Sequence, residues 1–228
     1  PIIVGTDIVG SIRNPASFCG LYGHKPSFGR VPFHPQTSPS VCAGPIARSV
    51  ADAARLLTII ASPDGRDPTA LPFANVTYEE VIKGEPTKQK IGFMRNIGFG
   101  PTPDDEVLRL CEAGVKVFEL MGSEIQDISP PFRNDDIIKA ENFYRTRTLA
   151  ELELLPSETR EKGKVINKWA EEAKHYSGVD HYRDYLGTQD LRSRMFSAMG
   201  DNDLLILPPV PIPPYAAENP GLDDGDIF

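Results

Sequence analysis

Cysteine, histidine and tryptophan are scarce in this sequence: three, four and one among 228 residues. Cys19, Cys42 and Cys111 form an odd set with no metal-ligand spacing, which excludes a disulfide framework and reads as reduced thiols in a cytoplasmic setting. His24, His34, His175 and His181 also lack metal-ligand spacing, so neither a metal nor a cofactor is expected. Basic charge is short as well. Lys and Arg number 24 against 32 Asp and Glu, a net charge of −8, which argues against nucleic acid as a partner. No apolar run is long enough to span a bilayer, so no membrane partner is expected. Pro1–Val4 lacks the basic flank of a signal peptide, and with no initiator Met the chain reads as a piece of something longer.

What is present is an α/β pattern. Ile2-Ile3-Val4 reads as the end of a buried strand stopping at Gly5, followed by a Gly-, Pro- and Ser-rich stretch to Pro45. Its one helical signal is Asn14-Pro15, with Asn as cap and a run of about two turns to Gly20. Ser49 and Asp52 open a clearer helix with Val50, Ala53, Ala54, Leu57 and Ile60 on one face, ended by Pro63-Asp64-Gly65. A short helix is expected around Tyr78 to Lys83. Lys90–Arg95 reads as a strand, and Thr102, Pro103 and Asp105 begin a helix with Val107, Leu110, Cys111, Gly114, Val115 and Phe118 inward. Ser123–Ile128 is a second strand, and the three together make a βαβ unit with a parallel pair and a right-handed crossover. Residues 135 to 199 read as helical with breaks near Pro156 and Ser177-Gly178. Asp203–Leu207 is another buried strand, and the Pro- and acid-rich tail has no core pattern.

One segment carries chemistry: Gly5-Thr6-Asp7-Ile8-Val9-Gly10-Ser11-Ile12-Arg13. A serine just past a strand, in a glycine-containing turn that leads into a helix, exposes its hydroxyl. Successive backbone N–H groups can converge there on an oxyanion. An ordinary solvated turn has the same composition.

Residues 5–32, GTDIVGSIRNPASFCGLYGHKPSFGRVP, closely resemble the signature of the amidase signature family. Gly44-Pro45-Ile46-Ala47-Arg48-Ser49-Val50-Ala51-Asp52 resembles a second block of that family, and Asp64-Gly65-Arg66-Asp67-Pro68 a third. The blocks stand in the family's order, densely over about residues 5–68 and weakly beyond. The resemblance implies the amidase signature fold: α/β, with a mixed, largely parallel sheet flanked by helices, incomplete here. It implies one incomplete catalytic domain over residues 1–228. Residues 1–68 would be the core with the nucleophile loop, and residues 69–228 a βαβ unit plus a helical region near the substrate entrance.

The resemblance also implies the activity: hydrolysis of a carboxamide or aryl amide through a serine acyl-enzyme, without a metal or cofactor. It places the nucleophile on Ser11, the oxyanion-hole N–H groups at Ile8, Val9, Gly10 and Ser11, and supporting roles on Asp7 and Arg13. The family's lysine base and its bridging cis-serine precede the nucleophile, in a segment absent from residues 1–228. Lys25 matches a family lysine that is not the base. Val9 departs from the pattern, which has glycine there. It is either strained by a φ > 0 requirement or an ordinary position that narrows the acyl pocket.

The expected partner is a small amide, with a homodimer as the oligomeric state considered. Other readings are a glutamine amidotransferase subunit, disfavoured by Pro39-Ser40-Val41-Cys42-Ala43 before Gly44, a fatty-acid amide hydrolase, and an inactive relative suggested by Val9. Cys19 is expected to be a packed thiol. Phe143, Tyr144, Trp169, Tyr176, Tyr182 and Tyr185 are expected to be core. The carboxylate pairs Asp104-Asp105, Asp135-Asp136 and Asp223-Asp224 read as helix-start or solvated charge.

Overall fold

The computed structural model describes residues 1–35, 38 and 40–216. The chain forms two compact units, Pro1–Thr87 and Lys88–Phe228. It is α/β throughout. Parallel pairing lies in the second unit, and the first adds an antiparallel sheet.

The first unit runs β1 (Ile2–Asp7), α1 (Arg13–Phe18), β2 (Tyr22–Gly23), β3 (Cys42–Ala47), α2 (Val50–Ile60) and α3 (Tyr78–Val81). Its sheet has the order β1-β3-β2, antiparallel throughout, with Gly5 opposite Gly44, Asp7 opposite Cys42 and Gly23 opposite Ile46. Alternation along strands puts these residues on one face. That face receives Ile12, which forms a buried cluster with Ala16 and Ile46. The opposite face carries Ala43, which packs with Val31, Leu57 and Ala61, so α2 covers the other side.

Several local expectations are corrected here. Strand β1 is longer than Ile2–Val4, and those three side chains are exposed rather than buried, because no element among the described residues covers them. Strand β3 forms although Gly44 and Pro45 argue against a central strand. Pro45 is tolerated because its carbonyl still accepts from the His24 N–H at 3.0 Å. Helix α1 begins at Arg13 with Ile12, not Asn14, in the capping position. Ser49 does cap α2, its hydroxyl accepting from the Asp52 N–H at 3.1 Å, but Val50 stands exposed. Cys19 ends α1 in an exposed position, and the buried thiol is Cys42.

The second unit runs β4 (Lys90–Phe93), α4 (Asp105–Leu120), β5 (Glu124–Asp127), α5 (Asn134–Glu153), α6 (Ser157–Lys162), α7 (Lys164–Glu171), a 3-10 turn over Glu172–His175, α8 (Gly178–Met199) and β6 (Leu204–Ile206). Strand β4 lies between β5 and β6, parallel to both. Asp104 caps α4 by accepting from the Glu106 N–H at 2.8 Å. Of the six residues expected on the inner face of α4, only Val115 is buried. Leu110 and Phe118 are exposed, because the apolar spacing names a face but supplies no cover for it. The edge strand β6 is likewise only partly covered, with Leu204 exposed.

Helices α5 and α8 are tied by the buried Asp136, whose carboxylate accepts from Arg194 Nη1 at 2.9 Å and Nη2 at 2.6 Å and from the Arg133 N–H at 2.8 Å. Phe143 and Trp169 are core, as expected of the aromatics, whereas Tyr182 is exposed. No helix among the described residues is long and apolar enough to cross a membrane. Asp223-Asp224 and the end of the acid-rich tail lie outside the described residues.

Candidate active site

The bend between β1 and α1 is organised by one carboxylate. Asp7, fully buried at the end of β1, accepts the Gly10 N–H on Oδ1 at 2.8 Å. Its Oδ2 accepts the Ile12 N–H at 3.2 Å and the Arg13 N–H at 3.4 Å. The Arg13 side chain closes the set, donating from Nε to Oδ2 at 3.0 Å and from Nη2 to Oδ1 at 2.9 Å. Burial pushes the Asp7 carboxyl upward. The Arg13 hydrogen bonds and charge, with the Ile12 and Gly10 amides, outweigh that and hold it below the ordinary carboxylate range. The same pairing raises the Arg13 guanidinium, against its own desolvation. Asp7 and Arg13 therefore fix the path of residues 8 to 13.

Ser11 stands at the apex of this bend, exposed. The Gly10 N–H points to Asp7 and away from any oxyanion. Among the described residues the N–H groups of Ile8, Val9 and Ser11 have no acceptor. These three are the donors the bend can offer to a developing negative charge.

Glycine is needed at position 10 for two independent reasons. Its φ is +138°, and a Cβ there would meet the Asn14 side-chain amide at 2.8 Å. Asn14 is also bound to this turn by its N–H, which donates to the Gly10 carbonyl at 2.7 Å. Val9, by contrast, is not among the positive-φ residues, so its β-branched side chain sits on ordinary backbone. That removes the strain which suggested an inactive relative.

Sequence reasoning missed the residue that anchors the bend from below. Ile12 is fully buried against the sheet, where Gly5 and Gly44 leave room for it. A Cβ on Gly5 would lie 3.1 Å from Ile12 Cγ1, and one on Gly44 only 2.2 Å from the His24 carbonyl. The signal was present as bare glycines in β1 and β3, but only the pairing of those strands gives it meaning.

Lys25 donates from Nζ to the Pro26 carbonyl at 3.3 Å and to Cys42 Sγ at 3.4 Å. His24 is parallel to Tyr22 at a centroid distance of 6.4 Å, and burial, then the Lys25 charge, lowers its pKa. His181 stacks on Phe143. No cluster of three or more His, Cys, Asp or Glu suited to a metal ion occurs among the described residues.

The amidase family profile matches residues 1–226. An acylamidase of Rhodococcus erythropolis is 32% identical over 217 residues, which is 91% of this chain and 44% of the relative. A glutamyl-tRNA(Gln) amidotransferase subunit of Synechococcus sp. strain CC9605 is 38% identical over 137 residues, covering 59% of this chain and 28% of the relative. Among solved structures, a bacterial aryl acylamidase of the amidase signature family aligns with TM-score 0.81 and 25% identity, over 94% of this chain and 47% of its own. A 6-aminohexanoate cyclic dimer hydrolase, with TM-score 0.73 at 22% identity over 87% of this chain and 44% of its own, shares the fold. The chain thus spans less than half the length of these relatives.

Proposed function

We propose, from the premise that this chain belongs to the amidase family, that Ser11 is the nucleophile of an enzyme hydrolysing a carboxamide or aryl amide to an acid and an amine or ammonia. The observation that carries this reading is the exposed Ser11 hydroxyl on a bend where Asp7 holds the Gly10, Ile12 and Arg13 amides and the Ile8, Val9 and Ser11 amides have no acceptor among the described residues. Ser11 Oγ adds to the amide carbonyl as its proton passes to the base. The oxyanion is received by the unengaged N–H groups, the C–N bond breaks as the amine takes up a proton, and water then releases the acid from the ester.

The base in this reading is a lysine acting through a second serine, both upstream of Ser11 in the longer protein, as the family resemblance implies. Residues 1–228 alone then lack meaningful hydrolysis. Asp7 and Arg13 position the bend and do not touch substrate. The three free thiols support a cytoplasmic setting. The likeness to the glutamyl-tRNA(Gln) amidotransferase protein favours a second reading within the same chemistry, in which the amide is that of glutamine.

The test uses the full-length protein, a fluorophosphonate probe and a panel of aryl amides and simple carboxamides including glutamine. The expected result is a label on Ser11 and turnover lost in Ser11→Ala. A well-folded protein that labels elsewhere, or that turns over amides without Ser11, overturns the assignment.

A further inference from the structure

The turn that displays Ser11 also displays Asn14. The Asn14 N–H donates to the Gly10 carbonyl at 2.7 Å, four residues back, so residues 10–14 close one α-helical turn. Residues three apart on such a turn share a face, with Cβ atoms about 5–6 Å from each other. Ile12 faces the sheet and is fully buried, whereas Ser11 is exposed and Asn14 half-buried.

The Asn14 side chain is fixed in place without being satisfied. A Cβ on Gly10 would stand 2.8 Å from Nδ2, 2.8 Å from Oδ1 and 2.9 Å from Cγ, so the amide presents its flat face to the glycine. Its main-chain carbonyl accepts from the Ser17 hydroxyl at 3.0 Å. The carboxamide itself has no hydrogen-bond partner among the described residues. On the N-terminal side of Ser11, Val9 offers an apolar side chain, 43% exposed. Arg13, the cation of this segment, is committed to Asp7.

We propose that Asn14 selects the substrate, its carboxamide hydrogen-bonding a neutral polar group, a hydroxyl or a second carboxamide, carried a few atoms from the scissile carbonyl. The proposal rests on Ser11 as the nucleophile and deepens that reading. A substrate seated on Ser11 takes water from the polar edge of Asn14. A hydrocarbon at that point strands a donor and an acceptor, whereas a hydroxyl or carboxamide replaces the water that left. A carboxylate could use only the donor and would find the Arg13 charge already spent on Asp7. The carbonyl oxygen is received by main-chain N–H groups, so Asn14 acts on the choice of amide and not on the oxyanion.

The test labels Ser11 of the full-length protein with a fluorophosphonate probe in the presence of matched amides. Succinamide is paired with isocaproamide, in which an isopropyl group replaces the second carboxamide. N-acetylethanolamine is paired with N-propylacetamide, so both sides of the scissile bond are covered. Protection from the label reads binding without requiring turnover. The polar member of at least one pair is expected to protect at about tenfold lower concentration. Asn14→Leu, similar in shape but without polar atoms, should bring that ratio close to one, and Asn14→Ala should do the same, with circular dichroism confirming that each variant is folded. If Ser11 labels but the members of both pairs protect it equally, or not at all, the role of Asn14 is overturned and the nucleophile stands. A ratio that neither folded variant changes overturns it as well. A folded wild-type protein that takes no label at Ser11 strikes the nucleophile itself, and the role of Asn14 with it.

Discussion

Ile12 lies against Gly44 so closely that a Cβ on the glycine would stand 3.2 Å from Ile12 Cδ1. The residue next to Ser11 is thus pressed onto the central strand of its sheet, while Asp7 holds the main chain on either side of it. Removing the Ile12 side chain would empty a fully buried site. Ile12→Ala is expected to destabilise the first unit by about 2–5 kcal/mol, read from urea unfolding by far-ultraviolet circular dichroism. A loss well under 1 kcal/mol would mean that the bend is held without this anchor.

Replacing Asp7 by Asn leaves an amide NH2 among donors that need an acceptor. Asp7→Asn should cost about 2–4 kcal/mol near pH 7. The sign of its pH dependence follows from the depressed carboxyl. Its stabilisation is complete above the unfolded-state value of about 4 and fades as pH falls through the lower folded-state value. Unfolding curves of the wild type and Asp7→Asn should therefore converge as pH drops from about 5 towards 2. Curves that stay parallel over that interval would contradict the depressed carboxyl.

Positions 9 and 10 should respond in opposite ways to exchange of glycine and a side chain. Gly10→Ala meets both a φ of +138° and the Asn14 amide, so a loss of at least about 1–3 kcal/mol is expected. Val9→Gly should change stability by only about 1 kcal/mol, chiefly through the unfolded chain. Thermal unfolding of the two variants side by side checks the contrast, and equal effects would show that the bend is misassigned.

In the second unit the Asp136 carboxylate joins three segments through Arg133 and Arg194. Asp136→Ala should lower stability by about 2–4 kcal/mol, because it strands donors that Asp136 satisfied. The readout is built in. Trp169 is the only tryptophan, its indole N–H donating to Glu141 of α5 at 3.0 Å, so its fluorescence follows the packing of α5 and α7. An unchanged midpoint for that signal would deny Asp136 its tying role.

The parts legible in the sequence were those encoded locally. Ser49 as a cap, the α4 and β5 succession and the helical breaks at Pro156 and Ser177 all follow from nearest-neighbour chemistry. Supporting roles for Asp7 and Arg13 were implied by a motif, whereas their pairing with each other and with the turn's amides appears only once the turn is folded. What could not be read is non-local. The Gly44-Pro45 strand is stabilised by β1 on one side and β2 on the other, although its composition opposes it. The apolar spacing of α4 says which residues share a face, yet coverage of that face is decided by other parts of the chain. The exposure of Cys19, expected to be packed, has the same origin: burial of a small apolar side chain is decided by its neighbours, and it is the register across β1 and β3 that buries Cys42.

Because the bend is shaped by main-chain amides on a carboxylate and by the side chain after its apex, position 11 itself has no part in building it. The turn should thus be indifferent to what residue it displays, and Ser11→Ala should melt with the wild type. A variant of unaltered contour at this one position separates what the side chain does from what the loop's shape does, because the scaffold reads the same with either residue in place.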